Sequence, residues 1–136
     1  MRILRFLLPL AACLSLSASA LADDPIDCTD PSTTYEMNFC SDKSFNEADA
    51  KLNATYKKVL AHIAASDLEP PYDPASWEKA MRESQRAWVA FRDADCKGAV
   101  PMEWSGGTGT GSAVAGCMTE KTNARIKELE ERYGEK

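Results

Sequence analysis

The residues best suited to chemistry in this chain are its cysteines. Cys28, Cys40, Cys96 and Cys117 are separated by 11, 55 and 20 residues, and no spacing gives the close C-x-x-C pair of a zinc site. In a short exported chain, four such cysteines indicate two disulfides, each typically worth about 2–4 kcal/mol. Three pairings are open, and we favour links that each join two different elements.

Other groups that could support catalysis are sparse. His62 is the only histidine and lies far in sequence from every cysteine, so Ser-His, Cys-His and His-metal arrangements are poorly supplied. Asp93 and Asp95 are two residues apart on a predicted helix and therefore face different directions. The glutamates within 128–131 are typical of a solvated helix end. The sequence predicts a protein that is not an enzyme and that uses no metal and no cofactor.

The first 22 residues have the pattern of a signal peptide. Arg2 and Arg5 precede an apolar run at 6–16, and Ala20-Leu21-Ala22 offers the small residues of a cleavage site. The run is shorter than the about 20 residues that a membrane-spanning helix needs. We therefore predict a cleaved signal peptide at 1–22, a single domain at 23–136, and a periplasmic or secreted location.

A lipid anchor is the alternative to soluble release. Leu10-Ala11-Ala12-Cys13 resembles a lipobox, in which Cys13 would carry the lipid. Residues 14–21 stay largely apolar, however, whereas a lipoprotein normally turns polar there to form a tether. Soluble release is therefore favoured, and the sequence predicts no membrane span.

Charge narrows the class of partner. Cleavage after Ala22 would remove two of the 16 basic residues and none of the 21 acidic ones, leaving 14 against 21, a net charge of −7. Such a balance argues against nucleic acid and anionic membrane surfaces as partners. It suits a cationic protein, because opposite charge raises encounter rates. Ordinary solubility is the alternative explanation of the same charge.

Helix signals are strong and strand signals are weak. A capping box at 33–36 begins the first helix, and a second capping box lies at 44–47. Tyr35 and Phe39 are out of phase with the apolar stripe that follows, so we predict that the first helix is kinked or split near Ser44. That stripe has helical spacing and comprises Phe45, Ala48, Leu52, Tyr56, Val59, Leu60 and Ile63.

Two further helices follow the prolines at 70–71, which end the first helical segment. Asp73 and Pro74 supply an N-cap and a first helical residue, and Ser112 can cap the last helix. The second helix carries an apolar seam suited to helix packing, made of Trp77, Met81, Ser84, Trp88 and Phe91. The inner face of the last helix comprises Cys117, Met118, Lys121 or Thr122, Arg125, Leu129 and Tyr133.

Between these helices, residues 98–111 contain five glycines and no periodicity, which predicts a long irregular loop. Three helical segments joined by turns predict an all-α fold, a small antiparallel three-helix bundle stapled by two disulfides. In this topology all four cysteines lie towards one end, where the disulfides hold both ends of the loop.

A set of polar residues lies beside the apolar stripes. Charge-assisted hydrogen bonds between helices could satisfy them, and they are Asp49, Asn53, Gln85, Arg92, Asp95 and Arg125. A polar active site is one interpretation, but buried polar groups are most often hydrogen-bonded and structural. We interpret the set as a structural polar network that sets the register of the helices.

Two parts of the sequence carry a resemblance to a known family. The first half contributes Cys28, the run Thr34–Cys40, and Ala48–Asn53 with Tyr56. The second half contributes Gln85–Cys96, then the glycines within 106–111, Cys117, Thr122, Arg125 and Leu129. Together they resemble the LprI-type lysozyme-inhibitor N-terminal domain family over nearly the whole mature chain. The most specific element is L-N-x-x-Y followed by Q-R-x-W-x-x-[FY]-R-D-x-x-C.

This resemblance implies an inhibitor of lysozyme, c-type or a related muramidase, that acts by protein–protein contact. C-type lysozymes are strongly cationic, which suits an acidic chain. The loop would supply the partner-binding residues, Met102, Glu103, Trp104, Ser105, Thr108, Thr110 and Ser112. Glu103 fits least well, because the lysozyme cleft holds two carboxyl groups of its own.

Two alternatives stay open at this point. The loop could be a passive connector between helices. The whole protein could be a non-inhibitory structural or envelope-associated interaction domain of the periplasm.

Overall fold

The computed structural model describes residues 26–134. These residues are mainly helical and contain no strand. The predicted signal peptide at 1–22 and Cys13 lie outside the described residues. Within 26–134, no helix combines the length and the apolar character needed to cross a membrane. The elements are α1 (Thr34–Ala64), α2 (Pro74–Ala94), a π-helical segment (Asp95–Ala99), α3 (Val100–Glu103) and α4 (Thr110–Tyr133).

The three long helices, α1, α2 and α4, form the predicted antiparallel bundle. Helices α1 and α4 run parallel, since Asn38 meets Ser112 near their starts and Thr55 meets Glu130 further along. Helix α2 runs the opposite way, and its last turns approach the middle of α1 and α4. The predicted all-α fold with two disulfides is therefore confirmed.

Helices α1 and α2 begin where the capping signals in the sequence predict. The Thr33 hydroxyl accepts from the Glu36 amide at 3.2 Å, and the Glu36 carboxylate accepts from the Thr33 amide at 2.9 Å. The backbone amides of Thr33 and Ser32 both donate to the Glu36 carboxylate, and because they favour its ionised form they hold the pKa of Glu36 below its ordinary value. Asp73 caps α2 with Pro74 in its first turn, as predicted, and α4 ends at Gly134.

Helix α1 is continuous through Ser44, so a split of this helix is excluded. The second capping motif does not start a helix. The Ser44 hydroxyl instead donates to the Cys40 carbonyl at 2.9 Å, a back-bond that often bends helices. Since one helix carries both stripes, only the second can face the core, and Tyr35 and Phe39 remain exposed.

The apolar core occupies the half of the bundle away from the cysteines. Its buried side chains are Leu52, Val59, Ile63, Met81, Ile126 and Leu129. Tyr56, Leu60, Trp77, Trp88 and Tyr133 pack around them and are partly buried. At the other end the buried apolar residues are Cys40, Ala48, Cys96, Ala115 and Met118, and Cys96 is fully buried.

The apolar seam predicted for α2 is wrong in two positions. Ser84 and Phe91 are exposed, and the inward residues are Trp77, Met81, Gln85, Trp88 and Arg92. The four-three alternation assumed that an apolar residue would follow Trp88, but the buried position belongs to Arg92. On α4, Thr122 rather than Lys121 lies inside, and the buried Ile126 was not predicted.

The disulfides pair Cys28 with Cys40 and Cys96 with Cys117, each with Cα atoms 5.5 Å apart. The first ties the segment before α1 to the second turn of α1. The second ties the π-helical segment to α4. Both links join different elements and lie at the same end of the bundle, as predicted.

Truncating a core side chain tests this packing. We expect Leu129→Ala to lower the free energy of unfolding by about 2–5 kcal/mol, because Leu129 is 1 % exposed and its loss leaves a cavity. Urea unfolding followed by circular dichroism would measure the change. Leu68→Ala is the matched control, since Leu68 is 46 % exposed. Equal losses from the two variants would contradict the assigned core.

Candidate functional site

The candidate site is the segment between α2 and α4, which we call the anchored turn (residues 95–112). The Cys96–Cys117 disulfide holds it, with Cys96 fully buried. The predicted long loop is wrong for the first half of this segment. Residues 95–103 are helical, first as a π-helical segment and then as α3, and only residues 104–109 form turns. Such π-helical insertions are frequent at functional sites.

Backbone hydrogen bonds define the turn that follows α3. The Gly106 amide donates to the Pro101 carbonyl, and the Gly107 amide donates to the Trp104 carbonyl. Ser105 and Gly106 have φ angles of +51° and +69°, the left-handed conformation that commonly ends a helix. Glycine adopts it freely, but it costs Ser105 on the order of 1 kcal/mol.

The Trp104 ring packs directly on the backbone of Gly109. A Cβ atom at Gly109 would lie 2.6 Å from Cζ3 of Trp104, so only glycine allows this contact. Trp104 is nevertheless about half exposed. The glycine therefore positions a large aromatic side chain at the surface.

The anchored turn also contacts the start of α1. The Ser112 hydroxyl donates to Oδ1 of Asn38 at 2.7 Å. A Cβ atom at Gly111 would lie 3.0 Å from the same Asn38 oxygen. The prediction that Ser112 caps α4 is wrong, because the N-cap position is Gly109. The Ser112 hydroxyl instead joins the turn to α1.

The structure separates the predicted partner-binding residues into two groups. Five of them are exposed: Met102, Glu103, Trp104, Ser105 and Thr108. Thr110 and Ser112 are turned towards the protein, and the Thr110 hydroxyl is buried without a hydrogen-bond partner among residues 26–134. The exposed part of the anchored turn is therefore centred on residues 102–105.

The predicted polar residues gather around two arginines rather than in one site. Nη1 of Arg92 donates to Asp49 at 3.1 Å and to Thr122 at 3.2 Å, and Nε donates to Asp93 at 3.0 Å. The guanidinium lies between the rings of Phe45 and Trp88, 5.3 and 5.2 Å from their centroids. Asn53 supports Asp49 through a 3.1 Å hydrogen bond.

The second cluster surrounds Arg125. Its Nε donates to Gln85 at 3.1 Å and its Nη1 donates to Glu128 at 2.7 Å. The hydrogen bond from Arg125 is the main reason why the pKa of Glu128 lies below its ordinary value, although burial opposes the shift. Trp88 contacts both arginines and so connects the two clusters.

Asp95 does not join either cluster. It forms an ion pair with Lys121 at 2.9 Å, next to the Cys96–Cys117 link. Its carboxylate lies within 4.8 Å of both sulfurs, but disulfide sulfurs are not the thiolates that metals require.

Sequence reasoning missed several members of these clusters, including Phe45, Asp93, Thr122 and Glu128. For two of them a signal was present, because Asp93 adjoins Arg92 and Glu128 lies three residues after Arg125 on one helix face. Phe45 and Thr122 could not be assigned without the packing of the helices.

The sequence of the chain is similar to a described protein family and to several known proteins. Residues 27–129 match the family model described as lysozyme inhibitor LprI. An uncharacterised protein of Rhizobium meliloti is 35 % identical, over 91 % of this chain and 90 % of its own length. Proteins named lipoprotein LprI from Mycobacterium bovis and Mycobacterium tuberculosis are 28 % identical over 57 % of this chain, but over only 33 % of their own length. No solved structure matches the chain.

The acid side of the stability profile tests the Arg125 cluster. Because the folded-state pKa of Glu128 is lowered, its ion pair contributes fully above about pH 4.5, and the contribution is lost as pH falls through the folded value. We expect Glu128→Gln to lower the Tm at neutral pH and to reduce the loss of Tm on acidification. Glu120→Gln is the control, since Glu120 is exposed and has no ion pair among residues 26–134. If the unaltered protein, Glu128→Gln and Glu120→Gln all lost the same Tm on acidification, the assigned role of the Glu128 ion pair would be contradicted.

Proposed function

Because the chain belongs to the LprI lysozyme-inhibitor family, we propose that it inhibits lysozyme, c-type or a related muramidase, by protein–protein contact. The observation that carries this proposal is the family match over residues 27–129, which includes both disulfides and nearly all of α4. An inhibitor acts by occupying its target, so this function requires no catalytic group in the chain itself.

The anchored turn is the part of the molecule that we propose as the contact. Met102 and Trp104 are 79 % and 51 % exposed on a segment that the disulfide and backbone hydrogen bonds hold in place. Exposed aromatic and methionine side chains are common in interface cores. A segment that is already ordered loses less conformational entropy on binding than a flexible loop does.

Export is the location that fits this function. Two disulfides are expected in an oxidising compartment such as the periplasm or the extracellular space. We propose that residues 1–22 are removed as a signal peptide and that the protein is released into the periplasm or secreted. Attachment through a lipid on Cys13 is the alternative.

Mass spectrometry of the protein isolated from its host tests the proposed processing. We expect the mass of residues 23–136 with four oxidised cysteines, because cleavage after Ala22 would remove Cys13 with the leader. Reduction followed by alkylation provides the control that counts the disulfides. A mass that includes a diacylglyceryl group and begins at Cys13 would establish the lipid anchor instead.

The inhibitory function is tested by titrating the disulfide-intact protein against a c-type lysozyme in a cell-wall lysis assay. We expect stoichiometric loss of lysis and a complex on gel filtration. Met102→Ala with Trp104→Ala should weaken inhibition about 30-fold or more, because truncating central hot-spot side chains typically costs at least about 2 kcal/mol.

Leu68→Ala with Tyr72→Ala is the matched control, since both residues are exposed on the connection between α1 and α2. Unchanged lysis at a large molar excess, with no complex on gel filtration, would favour a non-inhibitory envelope-associated domain. Full inhibition by the Met102 and Trp104 variant would leave the function standing but place the contact elsewhere.

A further inference from the structure

An apolar stripe on the first turns of α1 remains exposed. Tyr35 is 72 % exposed and Phe39 is 44 % exposed, four residues apart on one face of the helix. Asp42 continues that face and is also exposed. Helix formation does not require aromatic residues here, and a stripe of them at the surface is typical of a binding surface.

This stripe lies at the same end of the bundle as the anchored turn. Asn38, between Tyr35 and Phe39 along the helix, bonds to Ser112, and Gly111 lies against the same side chain. Gly109, two residues earlier, supports the Trp104 ring. A short series of contacts therefore connects the α1 stripe to the exposed side chains of the turn.

Charge is divided sharply along the bundle. The end of the bundle that carries the disulfides comprises residues 26–48 and 93–121. It holds nine acidic and three basic residues, a net charge of −6. The remaining residues, 49–92 and 122–134, hold nine acidic and ten basic residues, a net charge of +1. We call the first part the acidic end. The net negative charge of the described chain is therefore located at the acidic end, although each part holds nine acidic residues.

Ion pairing does not neutralise the acidic end. Its three cations are all engaged, Lys43 with Glu47, Lys97 with Asp93 and Lys121 with Asp95. Exposed carboxylates without an ion pair among residues 26–134 remain, and they include Asp30, Asp42, Glu103 and Glu120. Asp42 adjoins the α1 stripe, and Glu103 lies between Met102 and Trp104. The α1 stripe and the exposed side chains of the anchored turn therefore each have a neighbouring carboxylate that forms no ion pair within residues 26–134.

From these observations we infer that the acidic end docks on a cationic face of a protein partner, with Tyr35 and Phe39 of α1 and Met102 and Trp104 of the anchored turn as its apolar anchors. This inference rests on the proposed function and names its binding surface. It also resolves the difficulty that Glu103 presents. A surface with this charge is repelled by carboxylates in a lysozyme cleft, so the contact covers a basic surface beside the cleft rather than inserting Glu103 among them.

The two kinds of side chain at this surface have separate effects on binding. Long-range attraction between the carboxylates and a cationic partner raises the association rate and weakens with salt. Desolvated aromatic anchors mainly slow dissociation. The surface therefore predicts that charge and aromatic variants change different rate constants, which a merely solubilising acidic patch would not do.

The experiment measures association and dissociation rates of the disulfide-intact protein with a c-type lysozyme by surface plasmon resonance, at low and high salt. One double variant carries Asp42→Lys and Glu103→Lys. Its control carries Glu69→Lys and Glu83→Lys, which change the net charge equally at the other end of the bundle. Tyr35→Ala is compared with Tyr72→Ala, since these tyrosines are 72 % and 76 % exposed. Circular dichroism of each variant verifies the fold.

We expect the acidic-end charge pair to slow association about tenfold or more at low salt and the Glu69 and Glu83 pair to change it less than about twofold. Tyr35→Ala should speed dissociation about tenfold, with no change from Tyr72→Ala. Equal effects of the two charge pairs, or of the two tyrosine variants, would overturn the surface while leaving inhibition intact. Absence of lysozyme binding by the unaltered protein would overturn both proposals.

Self-association is the remaining outcome to separate. If the unaltered protein forms a concentration-dependent dimer that Tyr35→Ala abolishes, and lysozyme binding is unaffected by that variant, the occupant of the acidic end is a second copy. That result would overturn the inference of a cationic partner.

Discussion

The guanidinium of Arg92 is the point at which the three long helices meet. From α2 it reaches Asp49 on α1 and Thr122 on α4, and the rings of Phe45 and Trp88 enclose its faces. A buried charge is costly unless it is paired and hydrogen-bonded. The helices can satisfy it only in one register, so this contact constrains how α2 lies against the other two helices.

The two halves of the bundle on either side of Arg92 are stabilised differently. On one side, Leu52, Val59, Ile63 and Leu129 form an apolar core between α1 and α4. On the other side, the buried apolar residues are two alanines, two cysteines and Met118, and the two disulfides connect the elements. A domain of this size buries a modest fraction of its surface, so covalent links supply stability that the core alone does not.

This division suits a protein that acts through its surface. The chain belongs to the LprI lysozyme-inhibitor family, and the inhibition proposed for it would require a stable and correctly shaped face. The polar residues that could have formed an active site are engaged instead. Asp49 pairs with Arg92, and Glu128 pairs with Arg125, so their charges are used to align helices. The exposed carboxylates of the acidic end are the ones that stay available to a partner.

Local sequence alone determined the starts of α1 and α2, the disulfide-rich character and the family. The capping box at Thr33 and the Asp73-Pro74 start depend on bonds within a few residues, so they are readable without a fold. Tertiary structure decided what depends on neighbours distant in sequence. It selected the cysteine pairing, placed Arg92 rather than Phe91 inside, ordered the first half of the anchored turn as helix, and left Tyr35 and Phe39 in solvent. Periodicity shows that a helix has two apolar stripes, but only the packing of the other helices determines which stripe is buried.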